Sequence, residues 1–485
     1  MSSNAVKIAK RQSLYQKYDN TGTSIQSDDV QGAITEVAGS LFPYQPVGSI
    51  GVAGTAGFGI GVAPSNVDIA SKGLSPVFGH DDPRSDSFGN YIHTNGSIMC
   101  FIPKFYYRVG SVSSPNYDRY GLNTLDIVGS ETFQDESEAN ANGYILHRAF
   151  IDGGLAQEGF FIDKYIASKS PTNANVAVSV KNGVPISLTA TASGLTTSAG
   201  MTGCTGILAD SVVLSKARGG SYQCSTVFMY SALSMISLCH GQYATNNVDC
   251  AWFDPTGINN FPKGCNDDNL RDANDPSVVF VSAGDSLYPS KNRTGSGEPF
   301  AKTTHNGQNC GVVDLNGTMW ETAIGLTRTG ASSTASANLS NDVQYVLKES
   351  VVISSLTAGW NGITDIWGNA TGLANNYDSY TSNLTYAPLQ TWIYWGNGAV
   401  GVFPNDQSGL NRALCGVVPP SDGEASAVGL NVFGQDGIYR DRRENLFVQS
   451  GGLWSTGSSA GVFARSFGYW RSSAYGSRSF RAATF

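Results

Sequence analysis

Charge is scarce in this sequence. Asp, Glu, Lys and Arg make up 14% of its 485 residues, against a usual share of roughly 25%. What charge there is leans acidic, with a formal net of −8. That balance argues against nucleic-acid binding, which favours clustered Lys and Arg. No apolar run approaches the ~20 residues of a membrane-spanning helix, so membrane insertion is not expected. The opening MSSNAVKIAKRQSLYQKYDN has basic residues but no apolar core of a signal peptide, so Sec-type export is not expected either. The eight cysteines (Cys100, Cys204, Cys224, Cys239, Cys250, Cys265, Cys310 and Cys415) form no CxxC pair. Such scatter in a long chain fits neither a disulfide scaffold nor a zinc site, and reduced, buried thiols are the expectation. The five histidines show no HExxH spacing, and His147 and His240 read as structural. Walker, GxSxG and Rossmann patterns are missing as well.

Glycine is plentiful, at 57 residues, and is joined by 18 prolines. Turns and short strands therefore fit better than helical bundles. The length favours two or three folded units. After the N-cap candidate Ser27, the apolar positions Val30, Ala33, Ile34, Val37, Ala38 and Leu41 lay a narrow stripe along a short helix. So short a helix must be buried, in its own domain or shared between copies of the chain. Residues 42–75 read as an extended connector. In GSIMCFIPKFYYRVG, Ile98, Cys100 and Ile102 alternate with Met99 and Phe101, which predicts a strand buried on both faces and ended by Pro103. ILHRAFIDGGLAQEGFFIDKYIASK predicts two strands around Gly153–Gly154. Residues 172–200 read as an exposed insertion, residues 225–240 as a helix, and residues up to about 310 as long loops. Within those loops CNDDNLRDANDP offers calcium-type oxygens but lacks EF-hand spacing, so a solvated loop is preferred and no metal is expected.

CGVVDLNGTMWETAIG, residues 310–325, resembles the G-x-x-D-x-x-G-N-V-W-E-W signature of the formylglycine-generating, sulfatase-modifying enzyme family through Gly311, Asp314, Gly317, Trp320 and Glu321. EGFFIDKYIASKSP resembles that family's G-F-x-I-D-x-Y-E-V-T opening, with Ile166 at an acidic position. GGLWSTGSS and SFRAA resemble its R-G-G-S-W and G-F-R-x-A motifs, with Ser479 in place of glycine. The resemblance implies an α+β, C-type-lectin-like fold, rich in loops and short strands, with a short helical N-terminal attachment segment. It implies a framework role for Asp314, Trp320, Glu321 and Arg481. The indole N–H of Trp320 requires a partner, for which Glu321 or a nearby carbonyl is available. Arg481 is expected to pair with a carboxylate inside the fold. The family's reactive cysteine pair lies between the last two motifs, and this chain has no cysteine beyond Cys415. With neither thiolate nor copper ligand there, catalysis and a cofactor are not expected.

The closing GGLWSTGSSAGVFARSFGYWRSSAYGSRSFRAATF is similar to the variable C-terminal region of phage tropism determinants diversified by retroelements. By that likeness Ala464, Ser466, Gly468, Tyr469, Ser472, Ser473, Ala474, Tyr475 and Ser477 are the ligand-contact candidates. Trp454, Phe463 and Phe480 are framework, and Trp470 and Arg465 fit either role. Tyr supplies rigid amphipathic contact area and Ser and Gly adapt around it. Without the likeness, the same residues read as a Gly/Ser-rich strand pair with ordinary exposed tyrosines. The resemblance implies a phage virion appendage, a tail fibre or receptor-binding protein, that attaches to other virion proteins and oligomerises, as a homotrimer, through residues 1–45. Residues 46–75 form the connector, and residues 76–485 the lectin-like domain, variable over about 451–485. The partner would be a host-surface glycan or protein. A head or collar decoration protein is the alternative, and a glycan depolymerase stays open because a carboxylate pair needs only to be close in space.

Overall fold

A computed structural model describes residues 61–485 except 171, 173–175, 189–206, 257–259, 329–342, 358–374, 382–390, 396–409, 418–435, 442–445, 471–472 and 474. The expected N-terminal helix and the first part of the connector lie outside the described residues. The architecture is α+β.

The strand that sequence alternation marks best runs Ile98–Pro103 and is buried on both faces. Met99 and Phe101 pack with Tyr91 and Phe161 on one side, while Cys100 and Ile102 join Phe160 and Ile162 on the other. It pairs with Asn90–His93 and with Gly159–Asp163. Pro103 closes the strand opposite Gly159, where a Cβ would stand 2.4 Å from both the Ile102 carbonyl oxygen and the Phe101 ring. The six-stranded sheet runs Leu74–Pro76, Asn90–His93, Ile98–Pro103, Gly159–Asp163, Ala482–Thr484, Gln223–Cys224. Leu74–Pro76 thus draws the end of the expected connector into this sheet, and Val62 and Ala63 are buried as well.

A second sheet of eight strands takes the order Tyr377–Thr381, Val343–Leu347, Trp320–Thr327, Phe447–Gly451, Gly461–Ser466, Gly437–Arg440, Thr391–Tyr394, with Arg478–Phe480 parallel to Trp320–Thr327. Against this sheet packs the helix Val227–Tyr243, in the region where a helix is expected. Thr226 caps it, its Oγ1 accepting from the Met229 N–H at 3.1 Å. Sixteen of its seventeen residues are buried, so it is a central helix and not one with a single apolar face. Its serines permit this because Ser234 and Ser237 donate to the Tyr230 and Leu233 carbonyls one turn back, at 2.7 and 2.9 Å.

The two expected strands flank Gly153–Gly154 as the antiparallel pair Ile151–Asp152 and Leu155–Ala156, and the longer strand Gly159–Asp163 follows. Other expectations need correction. In the supposed insertion, Ala177–Val178 pairs with Ser168–Lys169, and Ile186 and Leu188 are buried. Its Ser and Thr content hid those apolar anchors. The helix Ile207–Lys216 was not anticipated. The described residues of 244–299 are loops joined by isolated bridges, as expected. Within them Asp272 accepts from the Gly264, Asn274 and Asp275 N–H groups at 2.7–2.8 Å and so organises the loop. The seven described cysteines are buried and unpaired, and burial raises their thiol pKa values. Among the described residues no helix is long and apolar enough to cross a membrane.

Candidate ligand-binding site

The C-terminal tail crosses both sheets. It enters the larger one as Gly461–Ser466, leaves it, returns as Arg478–Phe480 and ends in the smaller one as Ala482–Thr484. Three anchors fix this path. Arg465 is fully buried and donates to the Val462, Ala464 and Gly416 carbonyls and to Ser234 Oγ at 2.6–3.4 Å, which makes it framework. Gly476 passes so near Tyr288 that a Cβ would lie 2.2 Å from the ring, and its carbonyl accepts from Ser187 Oγ at 2.7 Å. Arg481 is fully buried, and its Nε and Nη2 donate to the Glu321 carboxylate at 2.6 and 3.0 Å. Its Nη1 also reaches the Asp163 and Lys164 carbonyls, and Tyr230 donates its hydroxyl to Glu321 at 2.6 Å. Asp314 lies near this pair and accepts from the Gly295 N–H, and burial pushes its carboxyl up to about 7.

Between the anchors the tail opens a groove of about 450 Å³, within the range of roughly 300–1,000 Å³ typical of small-ligand sites. Its walls come from five segments of the chain, of which one supplies Leu453 and Thr456. Trp320 stands opposite Arg478 in the parallel register. Glu321 alternates to the other side and meets Arg481, so one dipeptide serves both the groove and the core. Trp392 and Tyr439 come from an antiparallel pair at the sheet edge, and Trp392 stacks on Trp320 at 6.3 Å and 25°. The tail adds Ser466, Gly468, Tyr469, Trp470, Ser473, Tyr475 and Arg478. Tyr469 and Tyr475 meet edge to face at 4.8 Å. The Arg478 guanidinium carbon lies 3.9 Å from the Tyr469 ring centre and 5.5 Å from that of Tyr475. Burial lowers the Arg478 pKa, and the neighbouring phenols act against that shift. At Gly468 a Cβ would come within 3.0 Å of the Tyr439 ring, so the bare backbone lets that ring close the wall.

No protein-family model matches this chain, and no curated protein matches it either.

The nine tail candidates separate by depth. Ser466, Gly468, Tyr469, Ser473 and Tyr475 line the groove, and Tyr475 is the most exposed of them at 47%. Ser466 is itself buried, its Oγ accepting from the Gly468 N–H at 3.1 Å, and it contributes to the groove wall. Ala464 requires correction, because it is fully buried within a strand that has neighbours on both sides and has no surface to offer a ligand. Ser477 is half-buried outside the lining. Its carbonyl accepts from the Trp320 N–H at 3.2 Å and its hydroxyl contacts Arg478. Ser472 and Ala474 lie outside the described residues. Of the two residues left open, Trp470 lines the groove and Arg465 is framework. Trp454, Phe463 and Phe480 are buried. Glu321 is not the indole partner expected for Trp320, because its carboxylate is taken by Arg481 and Tyr230.

Sequence reasoning missed Trp392, Tyr439, Leu453, Thr456 and Arg478, and it assigned Trp320 to the framework alone. A signal was present in TWIYW. Trp392 and Tyr394 are half-buried while Ile393 and Trp395 are buried, the alternation of a strand with one aromatic outer face. Among the described residues no cluster of three His, Cys, Asp or Glu side chains is placed to hold a metal ion.

Proposed function

We propose that this protein is a bacteriophage virion appendage whose C-type-lectin-like domain binds a host-surface ligand, glycan or protein, in the groove formed by its C-terminal tail. One observation carries the reading: seven of the twelve described lining residues come from residues 466–478, the stretch likened to a variable contact region. The lining is rich in aromatic and hydroxyl-bearing residues, and Trp320, Trp392, Tyr439, Ser466 and Arg478 are held on strands, which suits recognition by a partly prepared surface. Among the described residues the lining contains no Asp or Glu and so no carboxylate pair of the kind used in glycoside hydrolysis. Residues 1–45 would attach to the particle and gather three copies, so that weak single contacts gain avidity. The test compares host-cell attachment by the full chain and by a Ser473→Ala/Tyr475→Ala variant, with Leu155→Ala, exposed elsewhere, as the control. The expected result is at least a tenfold loss for the groove variant alone. Equal attachment by all three proteins removes the reading.

A further inference from the structure

Arg478 is 2% exposed, yet no carboxylate lies within ion-pairing distance among the described residues. Other large buried cations have a counter-ion or several carbonyl acceptors, although among the described residues the Nε atoms of Arg148, Arg218 and Arg465 are likewise without a partner. Arg481 has Glu321, Arg218 has Asp163, and Arg148 donates to three backbone carbonyls. Arg478 touches the neighbouring Ser477 hydroxyl and the Tyr469 phenol, and its Nε has no hydrogen-bond partner. It is also the one charged side chain in the described lining of the groove. A guanidinium held in a cleft of low dielectric attracts an incoming anion more strongly than one in water, and its planar fork fits a carboxylate through two parallel hydrogen bonds.

The remaining walls specify what should carry that anion. Trp320 and Trp392 present stacked rings, and the electron-rich faces of such rings attract the polarised C–H groups of a sugar ring. Thr456 Oγ1 accepts from the Leu453 N–H and Ser466 Oγ from the Gly468 N–H. Each hydroxyl therefore keeps its proton to donate to a sugar oxygen. We infer that the groove takes a carboxylate-bearing saccharide, with Arg478 gripping the acid and the aromatic walls holding the ring. This rests on the reading of the groove as the recognition site.

The test is calorimetric titration of the full chain with trigalacturonic acid and with 3′-sialyllactose, each against its carboxyl-reduced form, and with a tripeptide bearing a free C-terminal carboxylate. At least one acidic saccharide should bind ten or more times tighter than its reduced form. Arg478→Gln should erase that ratio and Arg478→Lys should restore part of it. The wild-type comparison needs no variant, so a poorly folding Arg478→Gln leaves it decisive. Equal binding of acidic and reduced forms, or preference for the tripeptide, overturns the inference. So does failure of every saccharide to bind. In that last case, host attachment lost with Tyr475→Ala still supports recognition through the groove, whereas attachment retained brings that reading down too.

Discussion

Arg478 and Arg481 stand three residues apart on one strand path, are equally hidden from water, and have opposite surroundings. Arg481 is saturated. Glu321 takes two of its N–H groups, and the Asp163, Lys164 and Val313 carbonyls take the rest. Arg478 stacks on tyrosines, faces a cavity and has no acid within ion-pairing distance among the described residues. The difference follows from alternation along Trp320–Thr327, where Trp320 turns to the groove and Glu321 to the core. A buried charge that is fully paired locks a fold, while one left without a counter-ion beside a cavity is available to a ligand. The tail therefore does two jobs in alternating segments.

Breaking the saturated member should have the largest effect. Arg481→Met leaves Glu321 buried without its counter-charge and is expected to cost about 3–5 kcal/mol in denaturant unfolding. Arg478→Met leaves no acid stranded, and its cost should stay below about 1.5 kcal/mol, as for a volume-conserving swap. Equal costs would erase the distinction between the two arginines. Next comes the turn just before Arg478. Gly476→Ala drives a Cβ into the Tyr288 ring, for an expected loss of about 1–3 kcal/mol. Gly220→Ala meets open space and should change stability by no more than about 0.5 kcal/mol.

How much of this was legible in advance depended on whether local pattern or long-range packing decides the outcome. The strand Ile98–Pro103 and the helix Val227–Tyr243 write their burial into consecutive apolar residues, and the Trp320–Glu321 and Arg481 motifs marked the tail's inner anchor. The groove was only half legible. Tyr469, Ser473 and Tyr475 are marked by the tail's likeness to a variable contact region, but Trp392 and Tyr439 reach the groove through sheet pairing across tens of residues. Ala464 looked like its small neighbours and is buried because its strand lies inside the sheet, which residue type does not encode. The same limit hid Ile186 and Leu188 within a Ser/Thr-rich stretch.

The buried acids give a smaller effect, read against pH. Burial pushes Asp436 up to about 8 and Asp314 to about 7, and pulls His147 and His305 down to about 3. An acid whose pKa is raised on folding stabilises the fold below its unfolded value and loses that contribution as pH climbs through its folded value. A buried neutral histidine acts in the opposite sense, losing its contribution as pH falls from about 6.5 towards 3. The two sets oppose each other between about 4 and 6.5, so stability should change little there and then decline from about 6.5 to 8. Asp436→Asn should flatten the decline, as followed by Tm in buffers of equal ionic strength. An equally steep fall in the variant would assign the slope to other groups. The smallest stability effect belongs to the groove rim. Tyr475→Ala should stay within about 0.5 kcal/mol of the parent by denaturant unfolding.

The most direct measurement places a photo-reactive phenylalanine analogue at position 475 and, in a second protein, at position 155, then irradiates each on host cell envelopes. The account predicts envelope adducts from position 475 and none from position 155. Adducts from position 155 alone, or in equal yield from both, would contradict recognition through the C-terminal groove.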